Sequence, residues 1–237
     1  MTGLVVDLDP LAILAQSTRS ESWDPARLAV LAETGGCRGV SISLREDRRS
    51  GQERDVRLLR ELGTGLLEIR IPPSARAVEL VPSLRPDRVV LVPERPEQLL
   101  PETGIDLSAG ATTVVEAVRA LAEAGIDTRV LTEPEREQVK AAHRLGLTGA
   151  CLLGARLGAC RDDASAAKER EKLVECLTLA TKLGMSTQVA HGLDERALAR
   201  LRGLSNLDEA VVGPALWARA LTLGAAGAVA DCRGLLR

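Results

Sequence analysis

Short apolar runs alternate with amphipathic segments along the whole chain. The apolar runs have the length of buried strands, and the segments between them carry apolar residues at helical spacing. The predicted strands cover residues 4–8, 39–44, 65–71, 88–93, 128–132, 149–155, 186–190 and 209–213. The pattern therefore predicts eight strands, each followed by a helical segment.

The joints between helices and strands repeat. Five segments, AETGGCRGV, RELGTGLLEI, AEAGIDTRV, HRLGLTGACL and TKLGMSTQV, each end a predicted helix at glycine and enter a strand within a few residues. Asp24 and Pro25 predict a helix start, with aspartate as the cap and proline at the first helical position. Recurrence of one joint indicates an internal supersecondary repeat.

Strands that are apolar throughout and are separated by helices favour parallel pairing, covered on both faces. Eight such units in 237 residues predict the α/β class, as a single (β/α)8 TIM barrel spanning residues 1–237. A doubly wound open sheet is the alternative. It usually has fewer strands or a glycine-rich nucleotide loop, and the sequence contains no G-x-G-x-x-G motif.

Composition excludes several kinds of partner. The formal net charge is -2, and no Lys/Arg-rich block indicates a nucleic-acid surface. No uncharged stretch reaches the roughly 18 residues of a membrane span. The five cysteines form no C-x-x-C pair, which favours reduced thiols and no metal site. The first residues carry no positive targeting region, so we expect a cytoplasmic protein.

Active sites of such barrels form at the carboxyl ends of the strands. The polar residues that close the predicted strands are Asp7, Asp9, Ser43, Arg45, Glu68, Glu94, Glu133, Arg156 and His191. Glu68 interrupts an apolar run, and His191 is one of two histidines; the other, His143, is expected on a helix surface. Structural alternatives stay open, since Glu68 also fits an outward ion pair and His191 a plain turn.

Glycines follow the last two strands. Gly192 and Gly213 both precede a predicted helix, where backbone N–H groups bind phosphate in many barrels. A phosphorylated small molecule is therefore the expected ligand class, although both residues also suit ordinary turns.

A family resemblance runs from about Val5 to Leu223. The segments VDLDPLAILAQSTRSESWDP, GVSISLREDRR, ERDVRLLREL, LVPERPE, AGI, AHGL and VVGPAL resemble the pyridoxine 5′-phosphate synthases of the deoxyxylulose-dependent vitamin B6 pathway. The most specific signature is LREDRR followed by RDVR. The resemblance implies a (β/α)8 barrel that condenses 3-amino-2-oxopropyl phosphate with 1-deoxy-D-xylulose 5-phosphate. It also implies self-association into a homo-oligomer and no metal or organic cofactor.

The resemblance assigns roles to several residues. Glu68 matches the glutamate base in the family strand N-L-E-M-A, and His191 matches a histidine proton donor. Arg45 matches the arginine that holds the deoxyxylulose phosphate. Other matched binding positions are Asp9, Gly192 and Gly213.

Other family positions are changed. Histidines of the family align with Pro10, Ser43, Ser50 and Pro214, and the first-strand asparagine aligns with Asp7. A family arginine aligns with Thr18, beside Arg19; a threonine aligns with Leu100; and the E-I-H-T-G segment is CLLGA here. Ser43 stands at a catalytic position, and serine is not a base near neutral pH without another base beside it. Loss of a general base costs about 10²- to 10⁴-fold in rate.

Three hypotheses follow. The chain is a synthase with impaired turnover, a divergent barrel enzyme acting on another phosphorylated carbonyl compound, or a non-catalytic member that binds a phosphorylated ligand. In each, we expect Glu68 and His191 at the barrel mouth, with a raised pKa for the partly shielded Glu68 carboxylate. Arg45 is expected across the mouth from them, holding a second phosphate. Substrate binding should survive better than synthase turnover.

Overall fold

The protein folds as a closed barrel of parallel strands, seen in a computed structural model that describes residues 1–63, 65–107 and 112–237. Within these ranges eight strands pair in chain order, and β8 closes onto β1. They are β1 Gly3–Asp7, β2 Gly39–Ser43, β3 Leu66–Ile71, β4 Arg88–Leu91, β5 Asp127–Thr132, β6 Gly149–Leu153, β7 Ser186–Ala190 and β8 Glu209–Val212. The predicted (β/α)8 barrel is confirmed.

Helices cover the outside of the barrel. They are α1 Asp9–Thr18, α2 Pro25–Glu33, α3 Glu53–Leu62, α4 Ala75–Leu84, α5 Thr112–Glu123, α6 Arg136–Arg144, α7 Ala155–Ala159, α8 Asp163–Lys182, α9 Glu195–Leu201 and α10 Pro214–Leu235. The predicted start of α2 is confirmed, because the Asp24 carboxylate accepts hydrogen bonds from the Ala26 and Arg27 amides. In the described ranges, no helix combines the length and the apolar character that a membrane crossing requires.

The five predicted glycine joints share one backbone conformation. Their glycines have positive φ, from 67° at Gly63 to 84° at Gly36. Residues with a Cβ rarely adopt this conformation, so glycine lets each helix stop and reverse toward the next strand. The repeat therefore has a physical basis in helix termination.

Two packing layers result from the alternation of side chains along the strands. In β3, Leu67, Ile69 and Ile71 pack in the large cluster between strands and helices, whereas Glu68 and Arg70 face the barrel interior. The expectation that the strands are apolar throughout is wrong for β3, because its inward face is charged. A smaller apolar cluster fills another part of the interior, with Val90, Leu131, Cys151, Leu153 and Val211 among its members.

The end of β1 is tied to the outer layer. Trp217 of α10 donates its indole N–H to the Asp7 carbonyl at 2.7 Å. The contact fixes the last residue of β1, whose side chain reaches the barrel mouth.

Candidate active site

A buried arginine occupies the interior just below the mouth. The Arg70 guanidinium contacts both carboxylate oxygens of Asp7, with Nη1 3.2 Å from Oδ2 and Nη2 close to Oδ1. Its Nη2 also donates to Asp9 Oδ2 at 3.0 Å, and its Nη1 lies 3.1 Å from His191 Nε2. Arg70 is 1% exposed. It thus joins the ends of β1, β3 and β7 in one ionic cluster.

Asp9 connects this cluster to Ser43 and Ser50, the two serines that the resemblance aligns with family histidines. Its carboxylate accepts from the Ser43 amide at 2.6 Å, the Ser43 hydroxyl at 2.5 Å and the Ser50 hydroxyl at 3.1 Å. All three residues are buried. Ser43 and Ser50 therefore serve Asp9 as hydrogen-bond donors.

The cluster shifts the protonation of its members. Burial, aided by the neighbouring Asp7 charge, raises the pKa of Asp9 above its usual value, although Arg70 and the Ser43 hydrogen bonds oppose the shift. Burial alone would lower the pKa of Arg70, but the Asp7 and Asp9 carboxylates have the larger combined effect and raise this pKa above its usual value. The guanidinium is therefore a permanent positive charge.

His191 is buried beside this charge. Burial first, and the Arg70 cation second, lower the pKa of His191 to about 3. Its backbone φ is 63°, which is uncommon outside glycine. The ring is therefore neutral near physiological pH.

A second ionic cluster lies one layer deeper, around Glu68. The Glu68 carboxylate accepts from Ser41 at 2.7 Å, from Arg88 Nε at 2.8 Å and from Gln188 at 2.8 Å. Arg88 also donates to Glu209 at 2.7 Å. Glu68 thus points into the barrel, which removes the alternative of an outward ion pair.

The expected raised pKa of Glu68 is wrong. Although burial would raise it, Arg88 first, and then the Gln188 and Ser41 hydrogen bonds, hold the pKa of Glu68 below its usual value. The carboxylate is 1% exposed and does not line the mouth cavity. Its assignment as a catalytic base stays a prediction.

The open part of the mouth is a cavity of about 530 Å³. Its walls come from the ends of β1, β7 and β8 and from the loop after β4. The lining residues that sequence analysis singled out are Asp7, Leu100, His191, Gly192, Gly213 and Pro214. The charged side chains among its lining residues are Asp7, Glu102 and Asp194, all acidic.

Close packing explains the two cavity glycines. A Cβ on Gly213 would lie 2.8 Å from Asp7 Oδ2, and one on Gly192 would lie 2.4 Å from the Ala155 Cα. Gly213 precedes α10 and gives it no side-chain cap; Pro214, the first helical residue, has no N–H to donate. The first amide of α10 that is available to a ligand is therefore that of Ala215.

The charged segment 45–49 braces the loop after β4. Arg45 pairs with Asp47 at 2.5 Å and donates to the Arg95 and Leu99 carbonyls at 3.2 and 3.5 Å, while Arg49 donates to the Pro96 carbonyl. Arg45 does not line the mouth cavity. Its role in holding a second phosphate stays a prediction, and would require it to leave Asp47.

The remaining polar candidates lie at the rim or outside. The Glu94 carboxylate accepts from the Glu46 and Asp47 amides, and Glu133 pairs with Arg156. The predicted exposure of His143 on helix α6 is confirmed. Thr18 and Arg19 are exposed at the end of α1, away from the mouth cavity.

Arg70 is a residue of this site that the strand-end pattern does not indicate. In LLEIRI, the apolar residues alternate with Glu68 and Arg70, and this period of two puts both charges on one face of the strand. The family motif N-L-E-M-A, matched at Glu68, has alanine where this chain has Arg70. Across the described ranges, no group of three or more His, Cys, Asp or Glu side chains is arranged to hold a metal ion.

Solved structures with the same fold differ in sequence. KGPDC from Streptococcus mutans superposes with a TM-score of 0.65 at 13% identity, covering 100% of this chain and 97% of that one. The Amycolatopsis orientalis BexX/CysO complex gives a TM-score of 0.61 at 20% identity, covering 100% of this chain and 90% of that one. These similarities support the barrel fold alone.

Sequence relatives are more specific. Pyridoxine 5′-phosphate synthase of Desulfatibacillum aliphaticivorans is 32% identical over 237 residues, which cover 100% of this chain and 99% of that protein. The synthase of Geobacter metallireducens is 31% identical with the same coverage. The family model described as pyridoxal phosphate biosynthesis protein PdxJ matches residues 4–237. With the barrel and its mouth, these matches show that the chain belongs to the PdxJ family.

Proposed function

We propose that this family member binds one phosphorylated substrate of the pyridoxine 5′-phosphate synthase reaction at its mouth, and that its synthase turnover is impaired. The observation that carries the proposal is the Arg70 guanidinium, which bridges Asp7, Asp9 and His191. On this proposal, the substrate binds beside these residues, and the proton transfers of the reaction would have to take place among them.

Phosphate binding is supported by the open side of the mouth. The long helix α10 begins there at Pro214 without a side-chain cap, and Gly192 and Gly213 both line the cavity, with Gly192 exposed. Unpaired amides and the positive end of the helix dipole favour an anion. Both features belong to backbone geometry; among the changed positions, Pro214 removes one backbone donor at the start of α10 and leaves the Ala215 amide as the next one.

The charge of the cavity limits the ligand to one phosphate. Asp7, Glu102 and Asp194 are its charged lining residues, and Arg45 is held by Asp47 outside it. Among the described lining residues, a second phosphate would add negative charge to three carboxylates, and the nearby Arg70 cation is already paired with Asp7. The two-substrate condensation is therefore disfavoured at the binding stage as well.

Impaired turnover follows from the state of the catalytic groups. The condensation forms an imine, releases phosphate and closes a ring, so it needs several general acid–base steps. His191 has a pKa of about 3 and stays neutral, Ser43 donates to Asp9, and Glu68 is bound to Arg88 below the mouth. None of these three is a base matched to neutral pH.

The test compares binding with catalysis in the same protein. Calorimetry should detect binding of 1-deoxy-D-xylulose 5-phosphate, while pyridoxine 5′-phosphate should form at least about 10²-fold more slowly than with a histidine-complete relative. Ser43→His measures how much the missing histidine contributes, and Glu68→Gln is the catalytic control. Turnover equal to that of the relative would contradict the claim of impairment, and absence of binding would contradict the site.

We also propose a homo-oligomer. An apolar groove of about 520 Å³ lies between α1, α2 and α10, with Leu14, Leu31 and Leu221 among the exposed residues around it. Light scattering tests the proposal, and a strictly monomeric species would contradict it.

A further inference from the structure

We propose that Arg70 is a positioning residue that fixes His191 as a neutral imidazole with its Nδ1–H directed to the mouth cavity. In this form His191 binds a ligand oxygen as a hydrogen-bond donor. The inference rests on the proposed function only in placing the ligand at this mouth, and its first test needs no ligand.

The position of the ring proton follows from the partner of the other nitrogen. Arg70 Nη1 lies 3.1 Å from His191 Nε2. A guanidinium has N–H donors and no acceptor, so Nε2 must accept with its lone pair. The proton of the neutral ring is then on Nδ1.

The cavity is the place where that proton is available. Among the described residues, Arg70 is the partner found for the His191 ring, and His191 lines the cavity beside Gly192. The left-handed backbone at His191, with φ of 63°, holds the ring at this turn. A residue in a sparsely populated conformation at a cavity wall is a recurrent feature of functional sites.

Of the charges around the ring, the Arg70 cation favours the neutral state, whereas the Asp9 and Glu68 carboxylates oppose it. Arg70 and Glu68 face it from β3, Asp7 from β1 and Asp9 from the start of α1; Asp194 and Glu102 line the cavity outside it. Arg70 is paired with Asp7 and Asp9, which offsets their attraction for a ring proton, while the cation itself touches the ring. Burial and this cation lower the pKa of His191 to about 3.

A neutral donor selects a class of ligand atom. It stabilises negative charge that develops on a carbonyl oxygen, or a phosphate oxygen already charged, without giving up its proton. An ammonium group would meet the Nδ1–H as a second donor and is not bound by it. His191 would therefore orient and polarise an oxygen in a reaction step, with proton transfer left to another group.

Nitrogen NMR of the free protein tests the inference directly. In protein labelled with ¹⁵N-histidine, only His143 and His191 contribute, and His143→Gln assigns the signals. We expect Nε2 of His191 to be unprotonated and Nδ1 protonated, with no titration between about pH 8 and about pH 5. A protonated Nε2, or a ring that titrates near the ordinary 6.5, would overturn the proposal.

Variants of Arg70 separate a specific role from general support. Arg70→Met should make His191 titrate within that range, because the uncompensated Asp7 and Asp9 carboxylates then attract a ring proton. Arg70→Lys, which keeps a cationic donor, should retain the neutral ring, and Arg48→Met at an exposed position should leave its signals unchanged.

An unchanged tautomer and titration in Arg70→Met would reject the positioning role. If that variant does not fold, the spectrum of the natural protein still decides. Failure of phosphate binding would leave this spectrum as expected, so the two proposals fail separately.

Discussion

The two sides of the barrel mouth differ in what occupies them. At the ends of β1, β2 and β3, buried side chains bond to one another, with Arg70 at the centre and Asp9, Ser43 and Ser50 around it. At the ends of β7 and β8, glycine backbone and a helix start border a cavity of about 530 Å³. One side is filled by its own polar groups, whereas the other leaves space for a ligand.

The difference separates binding from chemistry. On the filled side, the resemblance aligns Ser43 and Ser50 with family histidines and Arg70 with the motif's alanine, and both serines donate to Asp9. The matched glycines on the open side are closely packed, Gly192 against Ala155 and Gly213 against the Asp7 side chain. A chain that changed this way is expected to lose proton-transfer groups before it loses phosphate contacts.

The largest effect is expected when the ionic cluster of the filled side is disrupted. Arg70→Met leaves Asp7 and Asp9 buried without their cation, and should lower the free energy of unfolding by about 3–5 kcal/mol. The matched variant Arg48→Met removes an exposed ion pair with Glu53 and should cost about 0–1 kcal/mol. Urea unfolding measures both. Equal costs would mean that the ionic cluster is no more coupled than a surface pair.

The next effect is the pH dependence that His191 gives to the free energy of unfolding. The folded-state pKa of His191, about 3, is below the ordinary 6.5, so the unfolded chain binds a proton first as the pH falls. His191 should therefore reduce the free energy of unfolding by about 1.4 kcal/mol per pH unit below about pH 6.5. Urea unfolding from pH 7 to pH 5 should give a weaker dependence for His191→Gln. Parallel curves for the two proteins would exclude a buried neutral His191.

A third prediction tests the open side. Gly213→Ala brings a Cβ to 2.8 Å from Asp7 Oδ2, so either the Asp7 side chain or the backbone before α10 must shift. Calorimetric affinity for deoxyxylulose phosphate should fall at least about tenfold, equivalent to about 1.4 kcal/mol. Gly234→Ala, near the end of the same helix with no atom within 4 Å of the new Cβ, should bind normally. Equal affinities would place the ligand away from Gly213.

The smallest effect concerns the loop that joins the two sides. Arg45→Ala removes the donor to the Arg95 and Leu99 carbonyls and should change the free energy of unfolding by about 0–1 kcal/mol. In the variant, hydrogen exchange of residues 94–101 should nevertheless be faster than in the natural protein, while exchange of the barrel strands should be unchanged. Unchanged exchange there would show that Arg45 does not brace the loop.

The fold was accessible from sequence because its signals are local. Apolar runs and helix-ending glycines are read within a few residues, and the glycines at Gly36 and Gly63 have the backbone conformation that such joints require. The convergence of Asp7, His191, Gly192 and Gly213 also followed, since barrel topology brings strand ends together.

The electrostatics were not accessible in the same way. The pKa of Glu68 depends on Arg88 and on Gln188, which lies 120 residues away in sequence and meets it only when the barrel closes. Glu209 begins a strand that the sequence pattern predicts to be apolar, although its carboxylate pairs with Arg88 and Arg129. The pairing of inward-facing charges depends on the register between strands and on how far each side chain reaches across the barrel. The local sequence pattern does not contain this information.

The hydrogen bond from Trp217 to the Asp7 carbonyl gives the protein an optical reporter at its mouth. The chain has no tyrosine or phenylalanine, and its only two tryptophans are Trp23 and Trp217. Trp217 lies three residues after Pro214 in the cavity wall and is bonded to the strand that ends at Asp7. Its emission responds to the polarity and hydrogen bonding of the indole, so ligand entry or rearrangement of the Arg70 cluster can be followed by fluorescence in the unlabelled protein, with Trp23→Leu removing the background.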